Sequence, residues 1–345
     1  MNSLPPSDTN NPAELWPTNE PASTGTVLPF SRWYPLGAGV LAGLCLRFLF
    51  SGVPGGSWSA MAGSFIYFSP IIVGAVTVYV AEKIQRRSWH YYLWAPFLAN
   101  VAYVVGTLLI MIEGLICAIV IIPLFALLGA LGGLAMGLVC RMTNWPKQAI
   151  YSLAVLPIAL GLGGDYLPTP VVLSAVQRSV VVQATPAQVW QQLNHAANIQ
   201  PEEFGATWAA RIGVPMPLSG MTEMTDAGRV RKSLWDKQVH FDEPITDWQP
   251  ERYMRWTYKF DPTSFPPHAL DDHVMIGGHY FDLRDTSFTL TPVPGGTRLD
   301  LQAHYRVSTQ FNFYADAVAQ LLLGNMLETG LTFYKNRSEL AQKAL

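Results

Sequence analysis

The densest group of potential ligand atoms in this chain lies between residues 268 and 282: His268, Asp271, Asp272, His273, His279 and Asp282. Imidazoles and carboxylates of this kind can hold zinc or another divalent ion. Gly277-Gly278 would let the chain bend between His273 and His279. The spacing matches no metal-binding signature. The expectation is therefore no metal and no cofactor, with the group serving as a solvated loop at the mouth of a site or as a polar patch against a ligand.

A second group lies on one stretch, His240, Asp242 and Glu243. Strand alternation puts His240 and Asp242 on one face, and Phe241 and Glu243 on the other. A carboxylate turned into an apolar cavity has a raised pKa and can act as an acid or base. The same carboxylate turned outward is ordinary surface. Asp300, His304 and Arg306 share a face in the same way, opposite Leu299, Leu301 and Tyr305. No catalytic motif singles out any of them. Glu243, Asp272, His273 and His279 remain the polar candidates.

Aromatic density is the other lead. Trp235, Trp256, Tyr258, Tyr280 and Tyr305 fall in strand-like stretches, together with Trp248, Tyr253, Phe260, Phe281 and Phe288. A domain core uses many such rings for packing. A surplus of large apolar side chains is also what an apolar ligand cavity needs, and the first five are the cavity candidates.

The elements that must position these residues begin near residue 179. Residues 179–184 are dense in β-branched side chains and read as a strand. Thr185 is a helix N-cap with Pro186 at the first helical position. Strand-like alternation follows over 228–235, 239–248, 253–260, 280–292 and 297–309, with a hairpin turn at Pro294-Gly295-Gly296. From residue 312 to 345 the apolar period becomes helical. Val318, Leu322, Met326 and Leu331 form a face turned to the sheet, and Leu322 and Met326 are expected to border a ligand.

Three features of this half resemble the START-like superfamily of polyketide cyclase/dehydrase and lipid-transport type. They are the opening Val180-Val181-Val182-Gln183-Ala184-Thr185-Pro186-Ala187-Gln188-Val189-Trp190, the turn Gly296-Thr297-Arg298-Leu299, and the single long C-terminal helix. The resemblance covers about residues 175–345. It implies an α+β helix-grip fold, a curved antiparallel sheet around the long helix, with an apolar cavity between them. It implies a ligand cavity rather than a particular reaction. The segment 194–220 and the insert 261–278 depart from the pattern and are candidates for a lid or mouth.

The first half is of another kind. Apolar stretches run over about 36–50, 61–81, 91–112, 115–140 and 148–164. A span of the hydrocarbon core takes about 20 mainly apolar residues. Between Tyr91 and Cys140 the only charge is Glu113. One helix of that length would be about 75 Å long, so the chain must turn back at Glu113-Gly114. Residues 32–165 therefore read as an all-α membrane bundle of about five transmembrane helices. Lys83, Arg86, Arg87, Arg141 and Lys147 follow the second and fourth spans, Arg32 precedes the first, and the two short connections between have no Lys or Arg. Cytoplasmic loops are enriched in Lys and Arg, which sets the N-terminus inside and the C-terminal domain outside. Arg47 is the misfit and is expected to snorkel toward the headgroups.

Net charge is −2, with no basic stripe in the second half, which excludes a nucleic-acid role. The three cysteines, Cys45, Cys117 and Cys140, all belong to the apolar half. Residues 1–31, rich in Pro, Ser, Thr and Asn, read as a disordered cytoplasmic tail. Gly129, Gly133 and Gly137, like Gly39 and Gly43, recur every four residues. Such spacing suits close helix packing within the bundle or in an oligomer. The combined expectation is a bacterial inner-membrane protein whose outer domain binds or transfers a lipid or other hydrophobic molecule. An enzyme acting on a hydrophobic substrate and a non-catalytic interaction module are the alternatives.

Overall fold

A computed structural model describes residues 33–143 and 168–343, apart from 206, 227, 268 and 272. The expected tail and fifth span, Arg32 and Lys147, and the candidates His268 and Asp272 lie outside the described residues.

Among the described residues of the first half there are four helices: α1 (Tyr34–Leu49), α2 (Gly63–Ile84), α3 (Trp89–Leu109) and α4 (Leu115–Met142). Ser88 caps α3 by accepting the Tyr91 N–H, and the α3–α4 turn falls at Glu113-Gly114. Helices α2, α3 and α4 are long and apolar enough to cross a membrane, whereas α1 is shorter. Large apolar side chains such as Leu93, Trp94, Leu98, Leu127 and Leu131 stay exposed on their outer faces.

The glycine spacing serves packing inside this bundle. A Cβ at Gly129 would stand 1.8 Å from Asn100 Nδ2, and one at Gly133 would stand 2.2 Å from Pro96 Cγ. Only hydrogen at those Cα atoms lets α4 approach α2 and α3 so closely. Arg47 does not snorkel. It is buried, and its Nε donates to Glu113 Oε1 at 2.6 Å. A buried guanidinium needs a counter-charge, and the α3–α4 turn brings one.

The second half is an eight-stranded antiparallel sheet in the order β1-β8-β7-β6-β5-β4-β3-β2. Its strands are β1 (Val171–Val182), β2 (His195–Ala196), β3 (Pro217–Thr225), β4 (Gly228–Trp235), β5 (His240–Gln249), β6 (Tyr253–Thr257), β7 (Phe281–Val293) and β8 (Gly296–Ser308). Helices α5 (Pro186–Asn194) and α6 (Trp208–Arg211) precede the long α7 (Asn312–Lys343). Thr185 forms a complete capping box with Gln188 at the start of α5. Strand β1 starts eight residues before the stretch read from sequence, because it pairs along its whole length with β8, from Val171↔Ser308 to Val182↔Thr297. Register shifts in β3, β5 and β7 mark irregularities that bend the sheet. The curled sheet holds α7 across its concave face, which is the helix-grip arrangement. The core there includes Val182, Val189, Leu193, Met254, Leu299, Leu331 and Phe333.

The sheet domain sits on the end of the bundle that carries the α3–α4 turn. Gly114 N donates to Asp271 Oδ2 at 2.7 Å, and Gly55 N donates to the Tyr280 hydroxyl at 2.7 Å. Tyr67 donates to the Gln310 carbonyl at 3.2 Å, Tyr314 donates to that of Val120, and Phe311 packs among bundle residues. Arg87 and Arg141 lie at the opposite end, where Arg141 Nη2 donates to the Arg87 carbonyl at 3.0 Å.

Candidate functional site

A cavity of about 390 Å³ runs between the concave sheet, α7 and the upper end of the bundle. Its walls include Phe288, Leu301 and Ala303 from the sheet, with Val318, Leu322 and Met326 from α7. Bundle residues complete it, among them Phe65, Tyr103, Cys117 and Phe125. The segment preceding β3 contributes Ile199, Phe204 and Val214, and the β6–β7 insert contributes Phe265, Leu270 and Ile276. Both departures from the family pattern therefore border the void.

A buried ion pair interrupts the sheet wall. Arg231 on β4 and Glu243 on β5 are cross-strand partners. Both are more than nine-tenths buried, at 8% and 4% exposure. Arg231 Nη1 donates to Glu243 Oε2 at 3.2 Å, and Nη2 donates to the Tyr334 hydroxyl at 2.8 Å. Gly220 on β3 makes room for this guanidinium, since a Cβ there would stand 2.1 Å from Nη2. Burial pushes the Glu243 carboxyl above its usual range, and the Arg231 charge pulls it part of the way back. Arg231 Nε and Trp235 Nε1 are buried donors with no hydrogen-bond partner among the described residues. Buried donors are normally paired, so these two suit a ligand that carries an acceptor.

A second polar group stands where the domain meets the bundle. His273 Nδ1 lies 2.8 Å from Asp271 Oδ1 and 3.4 Å from Glu113 Oε2. Burial opposes a charge on this imidazole, but Asp271, Cys117 and Glu113 outweigh it and its pKa is pushed up to about 12. Asp271 is burdened by the same burial, yet His273 and the Gly114 N–H hold its carboxyl well below the usual range.

Of the residues singled out in the sequence, Trp235, Trp256, Tyr258, Tyr280, Leu322, Met326, Glu243 and His273 border the cavity. Tyr305 does not. It is fully buried in the core, and its hydroxyl donates to Asp316 on α7 at 2.8 Å, so the ring is spent on holding β8 to α7. His279 is exposed beside Tyr280 and Gly55, outside the lining. Asp300 and His304 belong to the outer face, paired with Arg298 and Asp285. Sequence reasoning passed over Arg231, Tyr334 and Cys117. Counting back across the β4–β5 turn from Leu234↔His240 would have paired Arg231 with Glu243. No sequence signal brings Cys117 to His273.

The lining distinguishes two leucines of α7. Leu331, at 2% exposure, is in the core and outside the lining, whereas Leu322 borders the void. Leu331→Ala should cost about 2–5 kcal/mol. Leu322→Ala should cost clearly less, because its neighbours already lack full packing on one side. Chemical denaturation of both variants checks this, and equal losses would show solid packing around Leu322.

A family model described as polyketide cyclase/dehydrase and lipid transport matches residues 174–339. No curated protein matches the chain. Among solved structures, the chain is similar to a protein from Mesorhizobium loti, at 18% identity over 48% of this chain and 98% of that one, with a TM-score of 0.28. It is similar to a Nitrosomonas europaea protein at 12% identity, over 49% and 96% of the two chains, with a TM-score of 0.29. The di-domain ARO/CYC BexL from the BE-7585A biosynthetic pathway shares 14% identity over 60% and 61%, with a TM-score of 0.31. Residues 174–339, which hold the curled sheet and nearly all of α7, thus match the polyketide cyclase/dehydrase and lipid-transport family, and the helical bundle lies outside that match.

Proposed function

We propose that this is a membrane-embedded helix-grip protein that binds or transfers an amphipathic lipid or similar hydrophobic molecule. One observation carries the reading: the cavity is walled jointly by the sheet domain and by apolar helices of membrane-spanning length. A ligand already dissolved in the bilayer could reach such a cavity without crossing water. The lining is mainly apolar, and its charged or titratable side chains include Arg231 and Glu243 in the sheet wall and Arg47, Glu113 and His273 at the bundle end. Lipid pockets combine an apolar body with a few placed polar groups, and the unpartnered donors on Arg231 and Trp235 suit a carbonyl, carboxylate or phosphate on the ligand head. Native mass spectrometry of the full chain in detergent should detect a co-purifying lipid. Repeated recovery of a ligand-free protein would sink the reading.

The placement of charge supports an orientation. Arg87 and Arg141 lie at the bundle end remote from the sheet domain, and Lys and Arg favour the cytoplasmic side. The domain would then lie outside the cytoplasm, at the membrane surface. A reporter active only outside the cytoplasm should work when fused after Leu345 and stay silent after Arg87. Silence at the C-terminus would reverse the arrangement.

Glu243 favours a second reading, an enzyme on a hydrophobic substrate, because a buried carboxyl with a raised pKa can move protons. Glu243→Gln separates the two. Binding alone predicts an unchanged set of bound molecules, whereas catalysis predicts that unconverted substrate accumulates in the cavity.

A further inference from the structure

One of the places where the sheet domain meets the bundle holds a small group of four side chains. Glu113 comes from the α3–α4 turn and Cys117 from the first turn of α4, while Asp271 and His273 come from the β6–β7 insert. Each offers one donor atom, and these four atoms lie within 4.8 Å of one another. We propose that Glu113, Cys117, Asp271 and His273 bind one divalent transition-metal ion, zinc foremost, which clasps the sheet domain to the bundle beside the cavity.

The donor chemistry selects the ion. A thiolate and an imidazole with two carboxylates form a set that zinc and its neighbours take, whereas magnesium and calcium prefer oxygen alone. Zinc bonds of about 2.0–2.3 Å in a tetrahedron leave adjacent donors roughly 3.3–3.8 Å apart. His273 Nδ1 stands 3.4 Å from Glu113 Oε2 and 2.8 Å from Asp271 Oδ1, so small side-chain rotations open the set to an ion.

The surroundings are those of an oriented site. Asp271 Oδ2 accepts the Gly114 N–H at 2.7 Å, which leaves Oδ1 turned to His273. Glu113 Oε1 accepts Arg47 Nε at 2.6 Å, which leaves Oε2 turned the same way. Asp271 Oδ1 also accepts the His273 backbone N–H at 3.0 Å, so both carboxylates are held in place by hydrogen bonds while Oδ1 of Asp271 and Oε2 of Glu113 face His273, the usual role of outer-shell hydrogen bonds around a metal. The side chains of Glu113, Asp271 and His273 are at most 16% exposed, so bulk water does not compete freely for the ion. Binding releases two protons, one from the His273–Asp271 hydrogen bond and one from the Cys117 thiol, and involves no redox change.

The test uses the full chain in detergent, stripped with a chelator and reloaded with cobalt(II). The expected result is a thiolate-to-cobalt charge-transfer absorption that saturates at about one ion per chain. It should persist in Cys45→Ser and Cys140→Ser and vanish in Cys117→Ser. Arg47→Gln should weaken zinc binding by about 10–100-fold through Glu113. Absence of the absorption in the wild-type chain overturns the proposal irrespective of how any variant folds, and leaves the four residues as a hydrogen-bonded clasp. An unchanged absorption in Cys117→Ser overturns it as well.

Discussion

Arg231→Met should destabilise the protein by about 3–5 kcal/mol, because it strands the buried Glu243 carboxylate. The pair lies inside the cavity wall with both side chains under 10% exposed, so water cannot replace the lost guanidinium. The loss should depend on pH, with a definite sign. Burial already raises the Glu243 pKa, and removing Arg231 raises it further. A carboxyl whose folded pKa lies above its unfolded value stabilises the fold fully below the unfolded value. That contribution is lost as pH rises through the folded pKa. Arg231→Met should therefore lie nearer to wild type under mildly acidic conditions than under alkaline ones. Glu243→Leu strands the guanidinium instead, which cannot shed its proton in any ordinary buffer, so its loss should be nearly constant with pH. The double variant should recover most of the stability, since two apolar side chains need no partner. Denaturation across a pH series decides the matter. Equal, pH-independent losses in both single variants would mean that water reaches the pair.

The second large effect is expected on ligand occupancy. Ala303 on β8 is 2% exposed and borders the cavity, facing the same void as Phe288 and Leu301. Ligand pockets run from about 300 to 1,000 Å³, and this one, at about 390 Å³, has little room to spare. Ala303→Trp should occupy much of that space and lower recovery of a co-purifying lipid by at least about tenfold, a loss of about 1.4 kcal/mol in affinity. An indole forced into a solid core would also cost about 1–3 kcal/mol of stability. In an open cavity most of that strain is absent, so the melting transition should move little. Val181→Trp is the control, because Val181 is 49% exposed and lies outside the lining. Wild-type lipid recovery by Ala303→Trp would place the ligand elsewhere. A large loss of stability without loss of ligand would argue against a void beside β8.

Local chemistry made much of the architecture legible. Thr185 followed by Pro186 and Gln188 specifies a helix start, because the cap hydroxyl and the fixed proline φ act within one turn. Pro294-Gly295-Gly296 specifies the β7–β8 hairpin, and the lone polar pair Glu113-Gly114 specifies the turn between two apolar helices. Alternation put Phe241 and Glu243 on one face of β5, and both border the cavity. The sequence alone thus determined where elements begin, which face of each is apolar, and that a helical bundle precedes a helix-grip domain. Tertiary structure decided which polar groups meet. Arg47 reaches Glu113 across 66 residues, and Asp271 reaches the Gly114 N–H across 157. Periodicity carries no information about such distant pairs. The first follows from how α1 packs against the end of α3, and the second from how the sheet domain seats on the bundle, which depends on the summed packing of Tyr67, Phe311 and Tyr314 against their partners. Packing within the bundle turned Arg47 from the expected headgroup contact into a buried ion pair, and the seating of the sheet domain brought Cys117 beside His273. It also turned a cavity expected within one domain into one shared with the bundle, because close-packed interfaces, unlike helices and turns, are specified only when the whole chain is assembled.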